Sequence, residues 1–139
     1  MDNKQHIVAI TAFIKNSTED KFLIIKRSPN ETAFPGKWSF PGGKLERGEN
    51  IMQTLKREVK EEVGLEIENN YKKFLKDFTF IRTDGINVVG MCFEVKAKHE
   101  NVIIPKKEFD EYKWVTPEEF ESYDHIEGME EEVNLAFKK

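Results

Sequence analysis

The stretch that decides the fold is Gly43–Leu65, which reads GKLERGENIMQTLKREVKEEVGL. Its middle predicts a helix. Asn50, followed three residues later by Gln53, has the spacing of a capping box, and Gly64 stands where a helix ends in a left-handed residue. At about 100° per residue, the apolar side chains form one stripe and three glutamates form the adjoining one. The apolar positions are Ile51, Met52, Leu55, Val59 and Val63; the acidic ones are Glu58, Glu61 and Glu62.

Three like charges on one helical face repel one another and weaken an isolated helix by a few tenths of a kcal/mol per pair. A solvated charged face is the ordinary explanation of such a run. The other explanation is a cation site, because carboxylate oxygens are the ligands that Mg²⁺ and Mn²⁺ prefer. Magnesium is usually held by a few carboxylates together with waters and the oxygens of a substrate phosphate.

The residues around these glutamates favour the cation site. Gly43 is followed after five residues by Glu49, and after seven more by Arg57-Glu58; Glu61-Glu62 and Gly64 complete the pattern. This spacing resembles the Nudix box without a departure. The resemblance implies a pyrophosphatase that acts on a nucleoside diphosphate linked to another group, with Mg²⁺ or Mn²⁺ as cofactor. A nucleotide or a nucleoside diphosphate derivative is then the expected partner.

The resemblance also assigns roles by position. It implies that Glu58, Glu61 and Glu62 bind the metal together with the Gly42 carbonyl, and that Arg57 pairs with Glu49 to orient the helix and its loop. The alternative for that pair is a surface salt bridge worth under about 1 kcal/mol. Family members often add a late glutamate; Glu108 and Glu111 are the candidates here, and we favour Glu111. Glu58 is the first candidate for the general base and Glu111 the second.

Basic and aromatic residues before the box are the candidates for substrate contact. Arg27, Lys37 and Lys44 lie near the glycine-rich segment in sequence and are candidates for phosphate contact, with a surface charge as the alternative for each. Trp38, like Phe40, is a core residue or a wall of the base-binding cleft.

Composition sets the remaining limits. The 139 residues predict one domain, residues 1–139, with a core of its own. The net charge of −4 argues against nonspecific nucleic-acid binding, and no long apolar run, signal peptide or lipidation motif is present, so we expect a cytoplasmic protein that contacts no membrane. Cys92 lies in an apolar run and reads as a core thiol. A homodimer is compatible with the sequence.

The rest of the chain predicts strands around the central helix. Strands are expected at 7–14 and 22–26 as a hairpin, at 38–40, at the end of 67–81, at 86–95 after the Asp84-Gly85 turn, at 101–104 as an edge segment and at 112–115; residues 106–112 are expected to be a loop. Thr116-Pro117 starts a helix, and Met129, Val133, Ala136 and Phe137 have the spacing of a closing one. This order is similar to the Nudix fold, which implies an α/β/α sandwich on a mixed sheet with a central catalytic helix.

The substrate is reached by exclusion. The proline expected for many ADP-ribose hydrolases would fall at Ile81, and the tyrosine of diadenosine polyphosphate hydrolases near residues 82–83; neither is present. The arginine of the coenzyme A pyrophosphatase signature would fall at Thr32. A MutT-like hydrolase that converts nucleoside triphosphates to monophosphate and pyrophosphate is the remaining expectation. The alternative is a non-catalytic Nudix-like domain that binds a nucleotide as a sensor or regulator.

Overall fold

The protein is described by a computed structural model that covers residues 5–105 and 109–138. Seven strands and three helices are present in these ranges. The strands are β1 (Ile7–Lys15), β2 (Phe22–Arg27), β3 (Trp38–Ser39), β4 (Gly42–Lys44), β5 (Lys73–Ile81), β6 (Asn87–Lys96) and β7 (Phe109–Val115). The helices are α1 (Ile51–Val63), α2 (Pro117–Phe120) and α3 (Met129–Ala136).

The sheet is mixed, with β1 at its centre. β1 runs parallel to β6 from the Ile7–Val88 pair to the Lys15–Lys96 pair, and β5 pairs antiparallel with the other edge of β6. On its second edge β1 meets β4 along Ala9–Thr11 and meets β2 at Lys15. β2 in turn pairs with β3 and β7, and all of these pairs are antiparallel. A parallel central pair with antiparallel neighbours confirms the mixed sheet.

Helices cover both faces of this sheet. Successive side chains of a strand point to opposite faces, so the buried strands present apolar residues to both. The first face, called here the α1 face, carries Ile10, Ala12 and Ile14 of β1 and packs against Leu55, Val59 and Val63 of α1. The second, called here the α3 face, carries Phe13 and Cys92 and packs against α2 and α3 through residues such as Phe120 and Val133. The α/β/α arrangement is confirmed.

The ends of the helices follow their sequence signals. Asn50 caps α1 in a capping box with Gln53, and Gly64 ends α1 with φ +70°. Thr116 caps α2 through the amide of Glu119. Each cap satisfies backbone N–H groups that the first turn of a helix leaves without partners. Within the described ranges no helix is both long and apolar enough to cross a membrane.

Several sequence predictions are corrected. Residues 101–104 do not form a strand; Ile103 instead donates its N–H to the carbonyl of Val63 at 2.9 Å, which covers the end of α1. The expected loop at 106–112 is β-strand from Phe109 onward, because β7 pairs along the whole of β2; residues 106–108 lie outside the described residues. Gly42–Lys44 forms a strand, β4, against β1, and no strand was predicted there.

Candidate active site

The acidic stripe of α1 lies beside β4. The Glu58 side chain is 13% exposed and that of Glu61 is 60% exposed. The Glu58 carboxylate occupies the space beside Gly43 where any other residue would carry a Cβ, which would overlap all three atoms of the carboxylate group. Glycine at this position therefore creates the seat in which Glu58 lies.

Arg57 ties the helix to the preceding loop. Its Nε donates to Glu49 Oε2 at 2.7 Å and its Nη2 to Glu49 Oε1 at 2.9 Å, which is a bidentate pair. Nη2 also donates to the Lys44 carbonyl at 3.0 Å, and Nη1 donates to Glu58 Oε1 at 2.6 Å. One guanidinium thus fixes the relative positions of the loop, β4 and the first acidic residue of the helix.

The electrostatics of this pair follow from its hydrogen bonds. The Arg57 guanidinium lowers the pKa of Glu49 to about 2, aided by the Glu46 amide and the Thr54 hydroxyl. The hydrogen bond to Glu49 in turn raises the pKa of Arg57. Both groups are therefore charged throughout the physiological range, so the connection between helix and loop is permanent.

Glu58 and Glu62 have different surroundings. Burial raises the pKa of Glu58 even though Arg57 opposes that shift. Glu62 accepts the Gly42 N–H through Oε1 at 2.6 Å, and Glu61 lies 3.4 Å from Arg57 Nη1. In the part of the chain that the structure describes, no three acidic, histidine or cysteine side chains are grouped around one point as metal ligands.

The residues beside β4 nevertheless suit a hard divalent cation. The donors are carboxylate oxygens and a backbone carbonyl, the ligand type that Mg²⁺ and Mn²⁺ accept. Gly43 leaves a seat for a carboxylate where a Cβ would fill the space. A cation beside Glu58 also opposes the effect of burial, because a nearby positive charge favours the ionised carboxylate. The donor set and the local shape therefore fit the group that the box implies.

The candidates for substrate contact lie in different surroundings. Arg27 donates from Nε to the Ala33 carbonyl at 2.7 Å and so supports the loop after β2. The Lys44 side chain is exposed. Trp38 is 7% exposed in the core on the α3 face, which favours the core interpretation over a cleft wall.

The favoured late glutamate, Glu111, pairs with a cation on the neighbouring strand. Glu111 lies on β7 opposite Lys26, and its carboxylate is 3.8 Å from the Lys26 ammonium. Glu108 lies outside the described residues. Lys37, a candidate for phosphate contact with a surface charge as its alternative, places its Nζ 2.7 Å from Asp124 Oδ1 in an exposed ion pair.

Sequence reasoning missed two supports of the site. The Lys44 carbonyl, rather than its side chain, accepts from Arg57. Thr54 is fully buried and donates to Glu49 Oε1 at 3.0 Å. The signal available for Thr54 was a threonine four residues after the cap, on the side of the helix that faces the loop. The Lys44 carbonyl has no such signal, because every residue has a carbonyl.

Known proteins agree with this architecture. The profile of the NUDIX domain matches residues 5–134, and the chain therefore belongs to the Nudix family, a class of hydrolases that act on phosphorus-containing anhydrides. Among curated relatives, the chain is similar to the nucleoside triphosphatase NudI of Salmonella arizonae, with 32% identity over 111 residues, 74% of this chain and 78% of the relative.

Solved structures show the same fold. The MutT protein of Methanosarcina mazei superposes with a TM-score of 0.79 at 24% identity over 98% of this chain and 96% of its own. The NUDIX domain of Shewanella oneidensis NrtR, solved with ADP ribose, superposes with a TM-score of 0.77 at 18% identity over 96% of this chain and 88% of its own. These likenesses establish the fold, and the family assignment rests on the sequence match.

Proposed function

We propose that this Nudix hydrolase converts nucleoside triphosphates to the monophosphate and pyrophosphate, with Mg²⁺ or Mn²⁺ as its cofactor. The observation that carries the proposal is the Glu58 carboxylate, seated over Gly43 on a helix that Arg57 locks to β4. The similarity to relatives named nucleoside triphosphatase supports the choice of substrate class. The box is complete, whereas a domain that only binds nucleotides has no need of the whole acidic set.

Glu58, Glu61 and Glu62, with the Gly42 carbonyl, would hold the cation. A cation bound there would neutralise phosphate charge and would lower the pKa of the attacking water. Arg57 and Glu49 act through position: their bidentate pair keeps the acidic stripe in register with β4, so the ligands need little reorganisation when substrate binds.

The chemical step is attack by water on the α-phosphorus, with cleavage of its bond to the oxygen that bridges to the β-phosphorus. The water proton passes to a carboxylate, and pyrophosphate leaves. Glu58 is the first candidate for this base, because its carboxylate is held beside β4 by Arg57, whose Nη1 donates to Glu58 Oε1 at 2.6 Å. Glu111 is the second candidate, and its use requires movement away from Lys26. In phosphoryl transfer, positioning and charge neutralisation do most of the work.

The candidates for substrate contact are the basic and aromatic residues close to β4 in the sequence. Arg27 and Lys44 are proposed as phosphate contacts. The Lys44 side chain is exposed next to Gly43, whereas Arg27 donates to the Ala33 carbonyl and lies 3.6 Å from Glu31 Oε2 through Nη2, so phosphate would have to replace Glu31 there. Trp38, buried in β3 beside β2, would act only by supporting the segment that joins these two strands.

A panel of nucleoside triphosphates tests the proposal. With millimolar Mg²⁺ or Mn²⁺, we expect orthophosphate only after inorganic pyrophosphatase is added, because pyrophosphate is the direct product. EDTA should abolish turnover, since an all-oxygen site binds its cation weakly. Orthophosphate released without the coupling enzyme would contradict the cleavage position, and full turnover in EDTA would contradict the metal requirement.

The same panel separates the alternative of a nucleotide sensor. ADP-ribose and the four common triphosphates are offered to the protein in the presence of Mg²⁺ and Mn²⁺, and binding is measured by calorimetry alongside product formation. Micromolar binding without product from any of them would favour the non-catalytic alternative.

A further inference from the structure

Thr54 of α1 is a fully buried polar residue at a position that the spacing pattern of the box leaves open. Its hydroxyl oxygen lies 3.0 Å from Glu49 Oε1 and 3.2 Å from the carbonyl oxygen of Asn50. A hydroxyl group has one proton, so it donates to one of these two oxygens at a time. A charged acceptor makes the stronger bond, and we therefore assign the proton to the Glu49 carboxylate.

The Glu49 carboxylate accepts four hydrogen bonds in all. Its Oε2 accepts from Arg57 Nε at 2.7 Å. Its Oε1 accepts from Arg57 Nη2 at 2.9 Å, from the Glu46 N–H at 3.0 Å and from the Thr54 hydroxyl at 3.0 Å. A carboxylate has about four lone-pair sites, so Glu49 has none left for a cation or for the water that attacks phosphorus. Its part in the site is to hold other groups in place.

The donors to Glu49 Oε1 come from both sides of the joint between loop and helix. The Glu46 N–H belongs to the loop, whereas Thr54 and Arg57 lie three residues apart on α1, which makes them neighbours on the helix surface. Arg57 reaches Glu49 through a long side chain with several rotatable bonds. Thr54 is β-branched and buried, so its side chain has few conformations available. Thr54 is therefore the short and rigid contact between the helix and this carboxylate.

The orientation of Glu49 is passed on to the acidic stripe by Arg57. A bidentate pair fixes the plane of the guanidinium as well as its distance from the carboxylate. The same guanidinium donates from Nη1 to Glu58 Oε1 at 2.6 Å. A rotation of the Glu49 carboxylate would turn the guanidinium and displace Nη1 from Glu58. One series of hydrogen bonds thus runs from Thr54 through Glu49 and Arg57 to Glu58.

We propose that Thr54 is a positioning residue of the cation site: its hydroxyl fixes Glu49, and through Arg57 it sets the direction in which Glu58 presents its oxygens to a divalent cation. This inference rests on the proposed function and deepens it. Thr54 itself touches neither substrate nor cation. Removing a group that orients a metal ligand typically costs about 10- to 100-fold in metal affinity or activity. Thr54 acts two contacts further away, so we expect a smaller loss.

Mn²⁺ binding tests the assignment without turnover. Thr54→Val nearly keeps the shape of the side chain, and it leaves no buried donor unpaired because the hydroxyl was the donor. The affinity for Mn²⁺, measured from the electron paramagnetic resonance signal of the free ion, should fall about three- to tenfold. Thr54→Ser keeps the hydroxyl and should bind Mn²⁺ within about twofold of the parent. Thr54→Ala should weaken binding as valine does, and it replaces Thr54→Val if that variant does not fold.

The NMR spectrum of the metal-free protein gives an independent readout. The Nε–H of Arg57 is held by Glu49 Oε2, so its proton should exchange slowly with water in the parent. In Thr54→Val the pair should open more often, and this proton should exchange severalfold faster. Thr54→Ser should restore the slow exchange. This measurement requires neither a cation nor a substrate.

Gln53→Ala is the matched control on the preceding residue. The exposed Gln53 side chain accepts the Asn50 N–H at 2.9 Å in the capping box, so its removal weakens the start of α1 without removing a contact of Glu49. The Tm should fall by no more than about 5 °C in Gln53→Ala and in Thr54→Val. Only Thr54→Val should also change the Mn²⁺ affinity and the exchange of the Arg57 proton.

A buried hydroxyl with a purely structural role would affect stability alone. Unchanged Mn²⁺ affinity in a folded Thr54→Val protein, or an equal loss in Gln53→Ala, would therefore overturn the assignment. A parent that binds no Mn²⁺ would overturn it as well, since there would be no cation site to position. Hydrolysis by the parent is measured separately. If the parent hydrolyses no triphosphate yet its Mn²⁺ affinity depends on the Thr54 hydroxyl, the catalytic proposal fails and this one stands.

Discussion

Replacing Gly43 by alanine is a direct test of the carboxylate seat. Gly43 has no positive φ, so alanine is compatible with its backbone. The new methyl group would overlap the Glu58 carboxylate and nothing else nearby as closely. Because that group is the end of a flexible side chain, it can move away at little cost, and the fold should remain intact.

The two consequences differ in size. Stability should change by less than about 1 kcal/mol, since the loss of glycine entropy in the unfolded state offsets part of any strain. Catalysis should fall roughly 10²- to 10³-fold, the usual loss when one preorganised electrostatic group is removed from a transition state. The expected variant is therefore folded and nearly inactive.

Gly42→Ala is the matched control on the adjacent residue. A Cβ at Gly42 would meet the Ile10 carbonyl and would lie 2.7 Å from Thr11 Cα, and neither backbone atom can rotate away. Overpacking of this kind costs about 1–3 kcal/mol, which lowers the Tm of a chain this size by about 3–12 °C. Because the Gly42 carbonyl is also a proposed cation ligand, the two variants are compared in stability and not in activity.

Thermal melts of both variants and steady-state kinetics of Gly43→Ala decide the matter. The triphosphate found to be hydrolysed best by the parent is the substrate, and pyrophosphate is the measured product. Full activity in a folded Gly43→Ala protein would refute the reasoning, because the position of Glu58 would then not matter. A Gly43→Ala protein that melts as early as Gly42→Ala would show that the seat is a structural contact.

Three other changes have defined outcomes. Glu61→Gln should be at least as stable as the parent in EDTA, should gain less stability from Mg²⁺ in thermal melts and should lose roughly two to four orders of magnitude in kcat. Arg57 holds the pKa of Glu49 at about 2, below its ordinary value of 4.5. That carboxylate therefore stabilises the fold above about pH 4.5, and its contribution is lost as pH falls towards 2, so melts of Glu49→Gln should show a flatter acid limb. The hydrogen bond to Glu94 raises the pKa of Tyr71 from 10.0 to about 12, so its contribution is complete below pH 10 and is lost as pH rises towards 12; Tyr71→Phe should flatten the alkaline limb of the same measurement.

The sequence by itself determined the central helix and the class of protein. The cap at Asn50, the stop at Gly64 and the apolar stripe are local signals, because each acts within one or two helical turns. The pairing of Arg57 with Glu49 was also predicted, and it is observed as a bidentate contact. Fixed spacing within one helix and its adjoining loop leaves such residues few ways to be arranged.

The tertiary structure alone decided how distant segments meet. No local signal showed that Gly42–Lys44 would become a strand, because glycines have low strand preference and β4 exists only through its pairing with β1. Parallel pairing of β1 with β6 sets Thr11 beside Cys92, although 80 residues of chain separate them in the sequence. Glu132 was part of an acidic run in the sequence, and only the packing of α3 on the sheet buried it while leaving Glu130 and Glu131 in solvent. Burial depends on what the rest of the chain places opposite a residue, and a linear pattern does not contain that information.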